Sequence, residues 1–353
     1  MSGVKVGAVD LFCGIGGLSY GLRRSGIEIV AGIDADASCR YAYEINNDAQ
    51  FIHENVVNVS GFKIKQMLQN YDVSVLVGCA PCQPFSSHRK DKKNRDKHKD
   101  WHLLYQFGRI IEESKPHIVS MENVPTLAKE SVFDDFVATL LKEEYEVFHT
   151  IVNAADYGVP QRRKRLILLA VKNRLFQNKL SLIGASHQGN YVTVRDTIAN
   201  LPLIEAGCSS PVDRLHVSSV LSELNLRRIR ASKQGGSWQD WPETLVLSCH
   251  RAKTGKSYPS VYGRMSWDDV APTITTQFTR YGTGRFGHPE QDRAISLREG
   301  ALLQSFPSDY QFVPLGDKII LGNIARHIGN AVPPRLGEII GKSIMATVGG
   351  LKE

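Results

Sequence analysis

Residues 4–34 limit the fold more than any other stretch. Val4 to Phe12 (VKVGAVDLF) reads as a strand running into Cys13-Gly14-Ile15-Gly16-Gly17. A helix is expected over Leu18 to Ser25 with Gly26 as its stop, then a second strand over Ile27 to Ile33 ending at Asp34. A β-α-β unit with a glycine-rich turn and an acid about twenty residues on can hold an adenosine-containing ligand. The glycines let the backbone come close, and the carboxylate can accept from both ribose hydroxyls. The plainer alternative is a tight turn with no ligand.

A second stretch, Val73 to Arg89 (VSVLVGCAPCQPFSSHR), repeats the pattern with different chemistry. Val73 to Val77 is a β-branched apolar run, expected as a short buried strand that stops at Gly78. Pro81 and Pro84 bracket Cys82 and forbid both a continuing strand and an immediate helix. A thiol is therefore expected on a stiff loop at the carboxyl end of a strand, where open α/β sheets keep their ligands. Free cysteines are usually small core residues, but polar and proline neighbours make a poor core.

The β-α rhythm continues. Helices are expected over Ala37 to Asn46, around Ile64 to Leu68 and over His102 to Glu113, with a short strand at Phe51 to His53. The strand His117 to Met121 runs into Glu122-Asn123-Val124-Pro125, again a carboxylate at a strand end. Tyr145 to Val152 and Leu166 to Val171 are two further strands. Between them, Gln161, Arg163 and Arg165 share one face of an extended segment and can point together into a site. Asp91 to Asp100 (DKKNRDKHKD) reads as a solvated loop or, beside a reactive thiol, as a basic flap for a phosphate backbone.

From about Ser186 to Leu315 the rhythm breaks, and the chain becomes rich in Gly, Ser, Thr, Trp and Arg. His250 to Arg264 and Gln277 to Phe286 have the basic and aromatic composition of groove and phosphate contacts, which a loop-bearing β-rich domain shares. Arg293 to Pro307 contains an expected helix, as does Pro334 to Ala346. With 353 residues the chain is long enough for two domains. Its net charge of +7 favours a polyanionic partner. Six scattered cysteines suit a reducing compartment. No apolar run reaches the length of a membrane span and no signal-peptide pattern opens the chain, so a cytoplasmic, nucleoid-associated protein is expected, without membrane partners.

Taken in order, Asp10-Leu11-Phe12-x-Gly14-x-Gly16-Gly17, Pro81-Cys82-Gln83-Pro84-Phe85-Ser86, Glu122-Asn123-Val124, Gln161-x-Arg163-x-Arg165 and Gly329-Asn330-x-Val332 resemble the bacterial DNA (cytosine-5)-methyltransferase family. Five motifs in family order span about Val4 to Leu336. The resemblance implies a doubly wound, Rossmann-like domain that binds S-adenosylmethionine, over 1–185 with 320–353 and completed by the C-terminal helix. A smaller, mixed or β-rich target-recognition domain would occupy 186–319. The product would be S-adenosylhomocysteine and the substrate double-stranded DNA. One copy would act alone, with room for a cognate restriction endonuclease working separately.

The same resemblance assigns roles. Cys82 matches the nucleophile that attacks C6 of cytosine, because C5 is a poor nucleophile until the ring gains electrons. Glu122 matches the acid that holds N3 and the exocyclic amine, and Arg163 and Arg165 match the arginines that steady base and thiolate. Phe12, Gly14, Gly16 and Gly17 would surround the cofactor, with Asp34 on its ribose and Asn330 and Ala331 closing the methionine end. Ala35, Asn55, Val56, Cys79, Pro81 and Leu103 complete the expected cofactor set. Ala35 stands where many members carry a bulkier apolar residue, and Asn55 where an aspartate commonly contacts adenine. The base must leave the stack, and Gln83, Ser86, Ser87 and Arg89 are the nearby DNA contacts. Arg251, Arg264, Arg280 and Arg285 are the expected contacts in the target-reading segment. No metal is expected.

Other classes fit less of the chain. Cys79-Ala80-Pro81-Cys82 is also a CxxC after a strand, but a thiol oxidoreductase needs neither the glycine turn nor Asp34 nor the Gln161-Arg163-Arg165 face. A zinc site lacks a second CxxC or a histidine pair at ligand spacing. A catalytically dead relative would not need Cys82, Glu122 and Arg163 together. An RNA cytosine methyltransferase on the same fold is the runner-up. Its branch carries Cys-Phe-Thr after Glu-Asn-Val, whereas Pro125-Thr126-Leu127-Ala128 follows here.

Overall fold

The computed structural model describes residues 4–81, 102–172, 176, 180–252 and 258–350. Seven strands form one sheet: β1 (Val6–Leu11), β2 (Glu28–Asp34), β3 (Gln50–His53), β4 (Val73–Gly78), β5 (Ile118–Asn123), β6 (Tyr145–Asn153) and β7 (Lys164–Lys172). Their order is β3-β2-β1-β4-β5-β7-β6. The first five run parallel, and β7 lies antiparallel between β5 and β6. All six residues of β1 and of β5 are buried. A parallel strand covered on both faces reads as an apolar run, which is why these strands are visible in the sequence.

The helices α1 (Gly17–Arg24), α2 (Arg40–Asn47), α3 (Gly61–Leu68), α4 (His102–Ser114) and α5 (Ser131–Lys142) alternate with the strands. The core between sheet and helices α3 to α5 joins Leu11, Leu76, Met121 and Leu168 to Ile64, Phe107, Ile110 and Phe136. From β1 the chain winds outward through β2 and β3, then returns to β4 on the other side of β1. That reversal opens a crevice at the carboxyl ends of β1 and β4, the place where such sheets bind ligands.

The described chain divides into two compact units, one of 1–157, 164–186 and 331–353 and the other of 158–163 and 187–330. The first unit contains the whole sheet and also α11 (Pro334–Val348), which packs on α1. The approach is close enough that a Cβ added at Gly21 would lie 2.3 Å from the Pro334 carbonyl. The helix expected at the C-terminal end thus belongs to this unit. Residues 158–163 and α10 (Leu321–Asn330) group with the second unit, whereas the sequence had set its boundaries at 186 and 320.

The second unit also holds α6 (Val194–Ile198), α7 (Glu223–Ala231), α8 (Ser248–Arg251) and α9 (Leu297–Leu303). The expected mixed or β-rich character is mixed: among the described residues, extended backbone pairs only in isolated bridges such as Arg264 with Gly287. Side chains do the stapling instead. Capping boxes close the turns at Thr193/Asp196, Ser237/Asp240 and Ser296/Glu299. One small core gathers Ile229, Trp238, Trp241, Leu245, Tyr281 and Ala294. Nearby, the fully buried Arg293 makes two 2.7 Å bonds to the carboxylate of Glu299. Burial alone would push Glu299 up, but these bonds outweigh it and hold the carboxyl below its usual range.

Candidate active site

Three chain segments of the first unit end at the crevice: the turn after β1, the start of the loop after β4, and the end of β5. The turn after β1 is strained where it must be tight. Phe12 has φ +59°, a region that costs a residue with a side chain energy. Gly16 has φ +87°, and a Cβ there would fall 2.2 Å from Asn47 Nδ2. Gly14 has φ +51°, but a Cβ on it would meet no atom within 4 Å. Gly16 is therefore glycine because of its neighbours, while Gly14 faces open space, as a residue that admits a ligand should.

Asp34 ties the turn to β2. Its Oδ2 accepts the Gly14 N–H at 2.8 Å and its Oδ1 accepts the Asp36 N–H at 2.8 Å. A carboxylate has about four acceptor sites, so these bonds orient it rather than exhaust it. Val56 is buried in the core, and Asn55 caps the short turn it begins by accepting the Val57 N–H at 3.1 Å. Ala35 is exposed, and Leu103 and Pro81 are half-buried. Asn330 ends α10 in the second unit, and Ala331 opens the final segment of the first.

Just before the glycine turn stands Asp10, which opens the first motif but was given no role from the sequence. Asp10, on β1, is 1% exposed, and its Oδ2 accepts from Ser19 Oγ at 2.7 Å. Ser19 Oγ lies 3.0 Å from Tyr43 Oη. Burial pushes the Asp10 carboxyl up to about 7; the Ser19 bond opposes this and the nearby Asp34 charge adds to it. The sequence signal was available: a lone acid in an otherwise apolar strand needs a partner.

At the end of β5, Glu122 is 2% exposed. Arg165, on β7, places Nε 2.7 Å from Glu122 Oε1. Cys79 donates its thiol to Oε2 at 2.8 Å. The Arg165 contact is an ion pair whose N–H is not aimed at the oxygen, so among the described residues Oε1 accepts no hydrogen bond. A buried carboxylate oxygen held by an ion pair alone keeps the capacity to accept from a ligand. Asn123 donates Nδ2 to the Ala80 carbonyl at 3.1 Å, so β5 holds the chain just after β4.

The shared face of Gln161, Arg163 and Arg165 is divided between the units. Gln161 and Arg163 are buried in the second, where Arg163 donates to the carbonyls of Ile274 at 3.0 Å and Gly329 at 3.1 Å. Arg165 belongs to the first and meets Glu122. Cys82, Gln83, Ser86, Ser87, Arg89 and the run Asp91 to Asp100 lie outside the described residues.

Two of the arginines expected as DNA contacts, Arg264 and Arg285, bond inward. Arg264 is 5% exposed, and its guanidinium donates to the carbonyls of Ile229, Ser232, His288 and Gln291 and to Asp292. These bonds staple loops of the second unit. Arg285 also bonds inward, to the carbonyls of Gly235, Gly236 and Arg264. Arg251 is exposed and pairs with Glu243 at 3.4 Å, and Arg280 is exposed.

A family model described as C-5 cytosine-specific DNA methylase matches residues 6–346. The chain is 50% identical to the Type II methylase M.HgiDII of Herpetosiphon aurantiacus, covering 99% of this chain and 98% of that protein. It is 30% identical to the Type II methyltransferase M1.HphI of Haemophilus parahaemolyticus, over 96% and 86%. The solved structure of the Entamoeba histolytica methyltransferase EhMeth matches with a TM-score of 0.70 at 18% identity, covering 99% of each chain, a likeness of fold. A doubly wound sheet, a glycine turn at its switch point, an ion-paired buried Glu122 and a family match over nearly the whole length have one reading: the chain belongs to the C-5 cytosine-specific DNA methylases and is a DNA (cytosine-5)-methyltransferase.

Proposed function

We propose that this enzyme transfers a methyl group from S-adenosylmethionine to C5 of a cytosine within a specific sequence of double-stranded DNA, through a covalent bond between Cys82 and C6. The observation that carries the proposal is Glu122: buried, ion-paired with Arg165, and with Oε1 lacking a hydrogen bond among the described residues. The exocyclic amine of cytosine offers this carboxylate a donor, and N3 becomes a second one once it takes a proton as the ring gains electrons.

The cofactor fits the turn after β1. Gly14 opens to space that even an added Cβ would leave unfilled, and Asp34 stands at the strand end beside it. Phe12, Gly14, Gly16, Gly17 and Asp34 would hold it, with Ala35, Asn55, Val56, Cys79, Pro81, Leu103, Asn330 and Ala331 around them. When bound, S-adenosylmethionine supplies the electrophilic methyl that C5 takes, and S-adenosylhomocysteine remains.

The chain's own residues do the rest. The Cys82 thiolate forms the S–C6 bond and pushes the C5=C6 electrons toward C5. Glu122 binds the N3 edge, and the Arg165 cation beside it balances the charge gathered there. A water molecule then takes the C5 proton, and expulsion of the Cys82 thiolate restores the ring. A stacked base cannot present C6 to a thiol, so the cytosine must be flipped out at a cost of a few kcal/mol. Gln83, Ser86, Ser87, Arg89 and the basic run after them are the candidates to fill the gap. Reading of the DNA word falls to the second unit, and a restriction endonuclease of matching specificity would act separately.

Duplex DNA carrying 5-fluorocytosine at the target tests this reading. Fluorine cannot leave as a cation, so the S–C6 bond should persist and mass spectrometry should find the adduct on Cys82. An adduct on any other residue, or full turnover by Cys82→Ser, would overturn the mechanism.

A further inference from the structure

We propose that Cys79 is a positioning residue for Glu122: its thiol fixes the carboxylate in the orientation that receives the target base. The inference rests on the cytosine-5 reading above. The register of two neighbouring strands brings the two residues together. Gly78 of β4 pairs with Met121 of β5, so Cys79 and Glu122 are the next residues at the carboxyl ends of adjacent parallel strands. Beyond that register the β4–β5 ladder stops, while β5 stays paired with β7 through Glu122 and Asn123.

Two side-chain bonds take over where the ladder stops. Cys79 Sγ donates to Glu122 Oε2 at 2.8 Å, and Asn123 Nδ2 donates back to the Ala80 carbonyl at 3.1 Å. The Cys79 N–H keeps the other side, bonding to the Leu11 carbonyl of β1 at 3.4 Å. Residues 79–80, two positions before Cys82, are thereby clasped to the strand that carries Glu122. With Oε2 held by the thiol and Oε1 beside the Arg165 cation, the carboxylate plane has little rotational freedom. The oxygen without a hydrogen bond among the described residues is the one left for the base.

The chemistry suits a thiol. It offers one donor and no cationic charge, so it orients Glu122 through Oε2 and leaves Oε1 to the base. The two cysteines of Cys79-Ala80-Pro81-Cys82 then have different tasks: one donates to a carboxylate and the other attacks carbon. Neither task requires them to form a disulfide.

The test uses the full chain and duplex DNA containing the word that wild type methylates, mapped by bisulfite sequencing. Steady-state kcat and KM are compared for wild type, Cys79→Ala and Cys79→Ser. Cys79→Ala should lose about tenfold in kcat, the size of one hydrogen bond to a charged group, with KM for DNA within about twofold. Cys79→Ser restores a donor and should recover to within about threefold of wild type. Cys79→Gly, which also lacks a donor, carries the same expectation as Cys79→Ala and replaces it if thermal unfolding shows that variant misfolded. Wild-type kcat in the donor-less variant, or a serine variant as slow as alanine, would overturn the positioning role. A wild-type protein that leaves cytosine C5 unmethylated would remove the functional reading and this inference together.

Discussion

Replacing Asp10 by asparagine should stabilise this protein at alkaline pH and leave it unchanged in acid. The carboxyl is raised from 3.8 to about 7 because burial penalises its charge. At about 1.4 kcal/mol per pH unit, that shift is worth about 4 kcal/mol. The sign follows from proton binding. Below about pH 4 the carboxyl is protonated in both folded and unfolded chains, and no penalty exists. Between about pH 4 and 7 the unfolded chain ionises while the folded one does not, so stability falls as pH rises, and above about pH 7 the loss is complete. Asparagine keeps an oxygen to accept from Ser19 Oγ and carries no charge to desolvate. Thermal unfolding of both proteins from pH 4 to 8 should give equal midpoints at the acid end. The variant should lead increasingly above it, by several degrees at pH 8. A difference that does not change with pH, or a variant less stable at pH 8 than at pH 5 relative to wild type, would refute the reasoning.

Other expectations follow from single side chains. Asp34→Ala removes the acceptor of the Gly14 and Asp36 amides and should weaken S-adenosylmethionine binding by about 1.5 to 3 kcal/mol, read by calorimetry. Arg280→Ala should reduce the salt dependence of DNA binding by about one phosphate contact, whereas Arg264→Ala should lower the unfolding midpoint of the second unit. Glu299→Gln leaves the buried Arg293 without its counter-charge and should cost about 3 to 5 kcal/mol in denaturant unfolding. Replacing about 186–286 with the matching part of a relative should change the methylated word and leave the chemistry intact, checked by bisulfite sequencing.

What the sequence determined by itself is local. The strands β1 and β4 show as largely apolar runs because they are buried, and the turn after β1 shows because Gly16 has no room for a side chain. Glu122 and Asp34 were visible as acids at strand ends, where their backbone neighbours dictate their place. The tertiary structure decided what each polar group touches. Asp10 finds Ser19 and Tyr43, Cys79 finds Glu122 across 43 residues, and β7 inserts antiparallel beside β5. It also decided that Arg264 and Arg285 bond inward, although their sequence context read as a surface for phosphate. A charge is written in the side chain, but whether it meets water, a carbonyl or a phosphate depends on segments folded against it from far along the chain.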